Sequence, residues 1–263
     1  HCVLERLDVA RGGVVDDQQG ERGADPARGL ELADHHVEAA VAGQATLAES
    51  TELLVGTLNA YHLGVDQAAR ISDVFFRTVG DGTISIADLA NGFGSIAPIA
   101  AAGVPVETLG AALAVLTQQG IQPSEAITYL KSALSALINP SSEAAKLAED
   151  LGIDFDAQAL KSKGLAAVLG DVQRATGGNV EQMAKLFGGT EALSAVLGLT
   201  GENAGKFADE LKRMQNASGA TQTAFEKFAG ALGPAAQQLK NAIEVGLTGI
   251  GDRLLDESGG IVA

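Results

Sequence analysis

Between Thr83 and Pro140 the chain strings together helical stretches rich in Ala, Gly and Leu, each bounded or interrupted by Pro98, Pro105, Pro123 and Pro140. Proline has no amide hydrogen to donate and disfavours helical backbone in the residue before it. A chain punctuated in this way cannot run as one straight rod, so its helices must fold back and bury their apolar stripes against one another. No alternating run is long enough to claim a strand. The expected fold class is therefore all-α: a multi-helix bundle of Ala/Gly/Leu-rich helices broken by prolines, followed by a long amphipathic C-terminal helix.

Hydrophobic residues make up 46% of the 263, enough to fill a core, but aromatics are only 4% and Trp is absent. Small side chains each remove little area from water, which suits helices packed at close range and gives a thin core. The formal charge of -15 repels a phosphate backbone and argues against sequence-specific nucleic-acid binding. Cys2 is the sole cysteine, so it can form neither an internal disulfide nor a Cys-based zinc site. A basic start followed by an apolar run is missing, and the most apolar stretch, Leu89 to Val106, is interrupted by Asn91 and two prolines. The chain begins at His1 rather than Met and reads as part of something longer.

Three regions differ in kind. Residues 1–38 are charged, glycine-rich and aperiodic, and hold Cys2 and three of the four histidines, His1, His35 and His36. They are expected to be disordered or non-native, either out-of-frame sequence or a flexible tail. His35 and His36 are adjacent and would diverge by about 100° on a helix, which is no metal grip. Residues 39–200 carry the helical core. Leu47, Thr51, Leu54 and Leu58 form a first stripe; Ile71, Val74, Phe75 and Phe76 form a second, on a helix opening at Asp66, with the Phe side chains in the core. Ser85 and Asp88 form a capping box, and Pro98 is expected to kink or break the helix it opens. Val106, Leu109, Leu113 and Leu116 share the next stripe, and Pro123 opens a helix bearing Ile127, Leu130, Leu134 and Leu137. In residues 201–263 Phe225, Phe228, Leu232, Leu239, Ile243, Leu247, Ile250 and Leu254 recur at intervals that sum 3 and 4, the stripe of an amphipathic helix suited to a partner or a second copy.

No chemistry emerges from the reactive residues. Asp81, Gly82, Ile84 and Asp88 imitate the later positions of a calcium loop, but Arg77 and Val79 fall where the leading carboxylates belong. His62, beside Tyr61, is the one histidine after residue 38 and sits at a helix end with no nucleophile motif. Asp150, Asp154 and Asp156 suit turns or caps, and the glycine pairs at 177–178, 188–189 and 259–260 lack the Lys and Ser or Thr of a phosphate loop. The reading is no catalytic site, no metal and no cofactor.

The succession A-V-A-G-Q-A-T-L-A-E-S-T, L-N-A-Y, I-S-D-V-F-F-R-T-V, the proline-punctuated stretch, S-S-E-A-A-K-L-A-E-D-L-G-I and M-A-K-L-F-G resembles, in order, the core of phage tail tape measure proteins over residues 39–200. Leu186, Phe187 and Gly188 resemble a late element of that core. The resemblance implies a structural virion protein, helical, that acts in tail assembly and sets tail length, with a role in DNA ejection. It implies the tail tube lumen as location, and the host cytoplasm during assembly. Tail tube proteins, tail assembly chaperones and other copies of the chain are the implied partners, with membrane contact confined to infection. A self-associating helical scaffold or a membrane-active toxin-like protein is the alternative. No peptidoglycan-cleaving domain accompanies the core.

Overall fold

The computed structural model describes residues 46–223; the 1–38 segment and the stripe from Phe225 to Leu254 lie outside the described residues. Eleven α-helices are complete within that range, and among the described residues there is no strand. They are α1 (Leu47–Ala60), α2 (Ala68–Asp81, entered through a 3₁₀ turn at Val65–Gln67), α3 (Ile86–Ala100), α4 (Val106–Gln118), α5 (Pro123–Ile138) and α6 (Ser142–Leu151). There follow α7 (Ala157–Lys163), α8 (Leu165–Thr176), α9 (Val180–Phe187), α10 (Thr190–Leu199) and α11 (Ala204–Gln215), and residues 220–223 open a further helical turn.

Local chemistry sets the boundaries. Thr46 with Glu49 and Ser85 with Asp88 close reciprocal capping boxes on α1 and α3. Ser141, Asp156 and Asn179 each accept an amide hydrogen from the first turn of α6, α7 and α9. Gly152 ends α6 with φ +68°, a left-handed stop that side chains with a Cβ resist. His62 takes the same role after α1 at φ 54°, its amide bonding the carbonyl of Asn59 while that of Leu63 bonds Leu58, so a histidine stands where glycine is usual.

The core is organised around α4. Of its residues only Glu107 and Gln118 escape burial, because α2, α5, α10 and α11 surround it. A helix apolar on every side has to sit at the centre of a bundle, and Ala111, Ala112 and Ala114 let its neighbours come close. Around this axis α3 bridges α1 and α5, α10 lies along α5, and α9 packs on α6. Phe75 and Phe93 lock α2 to α3 edge-to-face with ring centres 5.0 Å apart. Buried threonines satisfy themselves within their own helices: Thr57, Thr78, Thr117, Thr176 and Thr200 each donate to the carbonyl four residues earlier.

The structure shifts several expectations. On α1 the buried face is Ser50, Leu53, Leu54, Thr57 and Leu58, while Thr51 is only partly covered; Thr57 can be buried because its hydroxyl is satisfied internally. Phe76 is half-buried rather than core, since it lies one residue off the face that holds Phe75. Helical backbone runs unbroken through Pro98: Gly94, Ser95 and Pro98 all face solvent, so the carbonyl deprived of a partner is open to water. The α2 helix proper starts at Ala68, two residues after Asp66, which falls in the 3₁₀ turn. The polar connection around Asp154 and Asp156 contains α7, which the aspartates had hidden; Asp156 is its cap.

Candidate interaction surfaces at the C-terminal seam

The described chain hands over to its C-terminal region along a seam between α11 and α2. On α11 the side chains of Phe207, Glu210 and Met214 are buried, and Met214 Sδ lies 3.9 Å from Thr78 Oγ1 on α2. About one and a half turns nearer the start of α2, Asp73 is only 7% exposed and spends both carboxylate oxygens on this seam. Its Oδ2 accepts from the Gly219 amide at 2.7 Å and its Oδ1 from the Thr221 amide at 2.9 Å. A carboxylate from one helix thus caps the helical turn that opens at 220, with both hydrogen bonds charge-assisted. Ser72 Oγ and Thr221 Oγ1 meet beside it at 3.4 Å.

At the other end of the seam four charges gather. Arg213 pairs with Glu210 at 2.9 Å and reaches Asp81 at 3.9 Å, and Arg77 lies 3.7 Å from Asp81. Glu210 is 1% exposed; burial pushes its carboxyl above the usual range, the neighbouring Asp81 charge adds to this, and Arg213 opposes it. Glu210 Oε1 and Asp81 Oδ2 are both buried without a hydrogen-bond partner among the described residues. With Glu210 protonated, its O–H becomes the donor that the neighbouring aspartate oxygen lacks.

Two further surfaces are open. A cleft of about 500 Å³ lies between the second half of α5 and the α9–α10 corner. Its walls include Ser132, Ser135, Asn139 and Thr190, and Ser132 donates to Glu191 at 3.0 Å. Leu186, Phe187 and Gly188 form one edge; Gly188 is left-handed and Phe187 stacks edge-to-face on Phe155 at 5.1 Å. The outer side of α1 presents Ala48, Thr51, Glu52, Val55, Gly56 and Asn59.

Among the described residues, several of those singled out for chemistry are structurally occupied. Asp81 belongs to the charge cluster, Gly82 sits where a Cβ would press on Ala114 of α4, and Asp88 closes its capping box. His62 ends α1, and Asp154 pairs with Lys163 at 2.7 Å. Beside His62, the Tyr61 hydroxyl donates to the Val104 carbonyl at 3.1 Å, its ionisation pushed far up by burial and by Glu107. Among the described residues no group of three or more His, Cys, Asp or Glu is placed to hold a metal ion, and no helix is long and apolar enough to cross a membrane. Asp73 and Glu210 escaped the sequence reading. The available signal was an acid set inside the buried phase of an amphipathic helix, where only a dedicated partner makes it tolerable.

A family model described as "Phage-related minor tail protein" matches residues 17–188, a stretch that starts within the 1–38 segment and runs to the end of α9. The tape measure protein of Pneumococcus phage Dp-1 is 27% identical over 212 residues, covering 78% of this chain and 18% of the relative. The probable tape measure protein of Escherichia phage P2 is 26% identical over 175 residues, 64% of this chain and 22% of the relative. That of Clostridium phage phiCD119 is 25% identical over 183 residues, 66% of this chain and 19% of the relative. The chain thus spans about a fifth of the length of these relatives. No solved structure matches it. With the family model matching well over half of its length and the fold entirely helical across the described residues, the chain belongs to the phage-related minor tail protein family.

Proposed function

We propose that this chain is a module of a tape measure protein, acting in tail assembly and in setting tail length from within the tail tube, with a part in DNA ejection. The observation that carries the reading is the match to three tape measure proteins over most of this chain but only about a fifth of theirs. Such a ratio is that of one unit inside a long protein. In this reading the module has no catalytic role and no sequence-specific contact with DNA. It meets tail tube proteins, assembly chaperones and other copies in the host cytoplasm before it enters the virion.

The fold decides how the length role is to be tested. Removing α5 alone would strip Leu130, Leu134 and Leu137, all at 0% exposure, from contact with α3, α4 and α10, so it would test folding rather than length. Removing the codons for 46–223 in frame from the parent gene takes out the packed unit whole. Drawn out as one helix that stretch would measure about 270 Å at roughly 1.5 Å per residue. Tails shortened by about that amount in electron micrographs are the expected result. Complete tails of unchanged length would overturn the ruler role for this module and leave it an assembly role.

A further inference from the structure

The α11 helix touches the bundle along a line rather than a face. Of its 12 residues three, Phe207, Glu210 and Met214, are buried, with Leu211 partly covered, whereas 11 of the 13 residues of α4 are buried. Ala217 and Thr221 carry the line past the helix end, at intervals of 3, 4, 3 and 4 counted from Phe207, the spacing of a narrow two-helix seam. Beneath it lie Thr78 and Asp73 of α2 and Gly110 of α4, where a Cβ would come 3.6 Å from Met214 Sδ. One of the three buried α11 side chains that make this seam is an acid.

The charges here are sorted by helix. Glu210 has Arg213 on its own helix at 2.9 Å, and Asp81 has Arg77 on its own at 3.7 Å. Across the gap Arg213 approaches Asp81 at 3.9 Å, while Glu210 Oε1 and Asp81 Oδ2 are buried without hydrogen-bond partners among the described residues. The other elements packed on α11 offer Glu210 no unpaired cation. On α4 the charge is Glu107, bound to Arg70; on α8 Asp171 and Arg174 bind each other; the 3₁₀ turn Gly201–Asn203 carries exposed Glu202. Burial first, and Asp81 next, hold the Glu210 carboxyl above its usual range. Parting the two helices leaves each acid with its own arginine and lets Glu210 ionise in water, so the docked arrangement is favoured only while Glu210 keeps its proton.

We propose that residues 204–221 are a strap that opens from the bundle as one unit, with α1–α10 still folded beneath it, and that loss of the Glu210 proton releases it. The opening is a rare excursion of the native chain rather than unfolding. It uncovers the axis helix α4 along Gly110 and frees the Gly219 and Thr221 amides from Asp73. Because one proton is lost on opening, the open state becomes up to about tenfold more populated per pH unit. The rise runs from the ordinary glutamate range to the value of the docked carboxyl and levels above it.

Native-state hydrogen exchange on the full chain tests this, read as protection factors in the regime where exchange follows the opening equilibrium. The α11 amides should be about tenfold or more less protected than those of Leu130, Leu134 and Leu137 on α5, and should respond more weakly to low urea, since a strap exposes less surface than the whole bundle. Their protection should fall as pH rises above the ordinary glutamate range, and in Glu210→Gln it should be level. Asp73→Ala removes two charge-assisted hydrogen bonds at the far end of the strap; it should lower α11 protection by about tenfold or more at every pH and leave the slope in place. Equal protection and equal urea response in α11 and α5 would make the event global unfolding and overturn the strap. A level α11 in the unaltered chain, or the same slope in Glu210→Gln, would overturn the release by Glu210. An Asp73→Ala effect confined to 219–221 would overturn the single unit. Should Glu210→Gln fail to fold, the slope of the unaltered chain and Asp73→Ala still decide.

Discussion

Glu210 shows how a single residue can tie this fold to pH. Its carboxyl is raised first by burial and then by Asp81, so the folded chain holds the proton more tightly than the unfolded chain does. The stability this provides is present below the ordinary glutamate range and is lost as pH rises through the folded-state value. Glu210→Gln keeps the size, the acceptor for Arg213 and a donor toward Asp81, yet cannot ionise. The melting temperature of the wild type should therefore fall relative to Glu210→Gln as pH rises above the ordinary glutamate range. Parallel curves for the two proteins would show that the carboxyl stays charged throughout. The sequence carries only the phase of Glu210 on an amphipathic helix at this scale: the acid sits among Asp209, Lys212 and Arg213, and the packing of α11 on α2 is what separates it from its solvated neighbours.

At the scale of helices, the capped starts were readable because their chemistry is local: Ser85 with Asp88 and Pro123 at a first turn need no tertiary information. The half-hidden identity of α4 was not. Val106, Leu109, Leu113 and Leu116 mark one stripe, but the other faces carry Gly110, Ala111, Ala112 and Ala114, whose small side chains fit either solvent or close packing. The structure chooses packing, and Gly110 is the closest point: a Cβ there would overlap the Thr78 hydroxyl and press on Val74. Gly110→Ala should then destabilise the chain by about 1–3 kcal/mol through overpacking, despite the better helix propensity of alanine. Urea unfolding measures this directly, and a stabilised variant would mean that α2 and α4 are free to move apart. The missed α7 has the opposite cause, since its aspartate-rich approach looks like loop and the helix itself is too short for a period to show.

For the molecule as a whole, one contiguous apolar core runs from Leu53 on α1 to Met214 on α11. Residues 46–223 should accordingly lose structure in a single transition. Far-UV circular dichroism and the fluorescence of Tyr61 and Tyr129, both packed on the core's edge, should give coincident denaturation curves. Displaced midpoints would divide the bundle into independently stable parts. That helices would fold back on themselves was visible in the spacing of the prolines; which helix would become the axis depended on contacts far apart in sequence.

The buried threonines give this interior an unusual property. Thr57, Thr78, Thr176 and Thr200 carry their hydroxyl bonds on their own helices, so each helix could peel away and travel alone without stranding those hydroxyls. Pulling the chain out into a narrow space would be resisted chiefly by the wetting of alanine, leucine and phenylalanine. Such resistance is greatest along α4, where nearly every residue is buried, and it weakens in the cold.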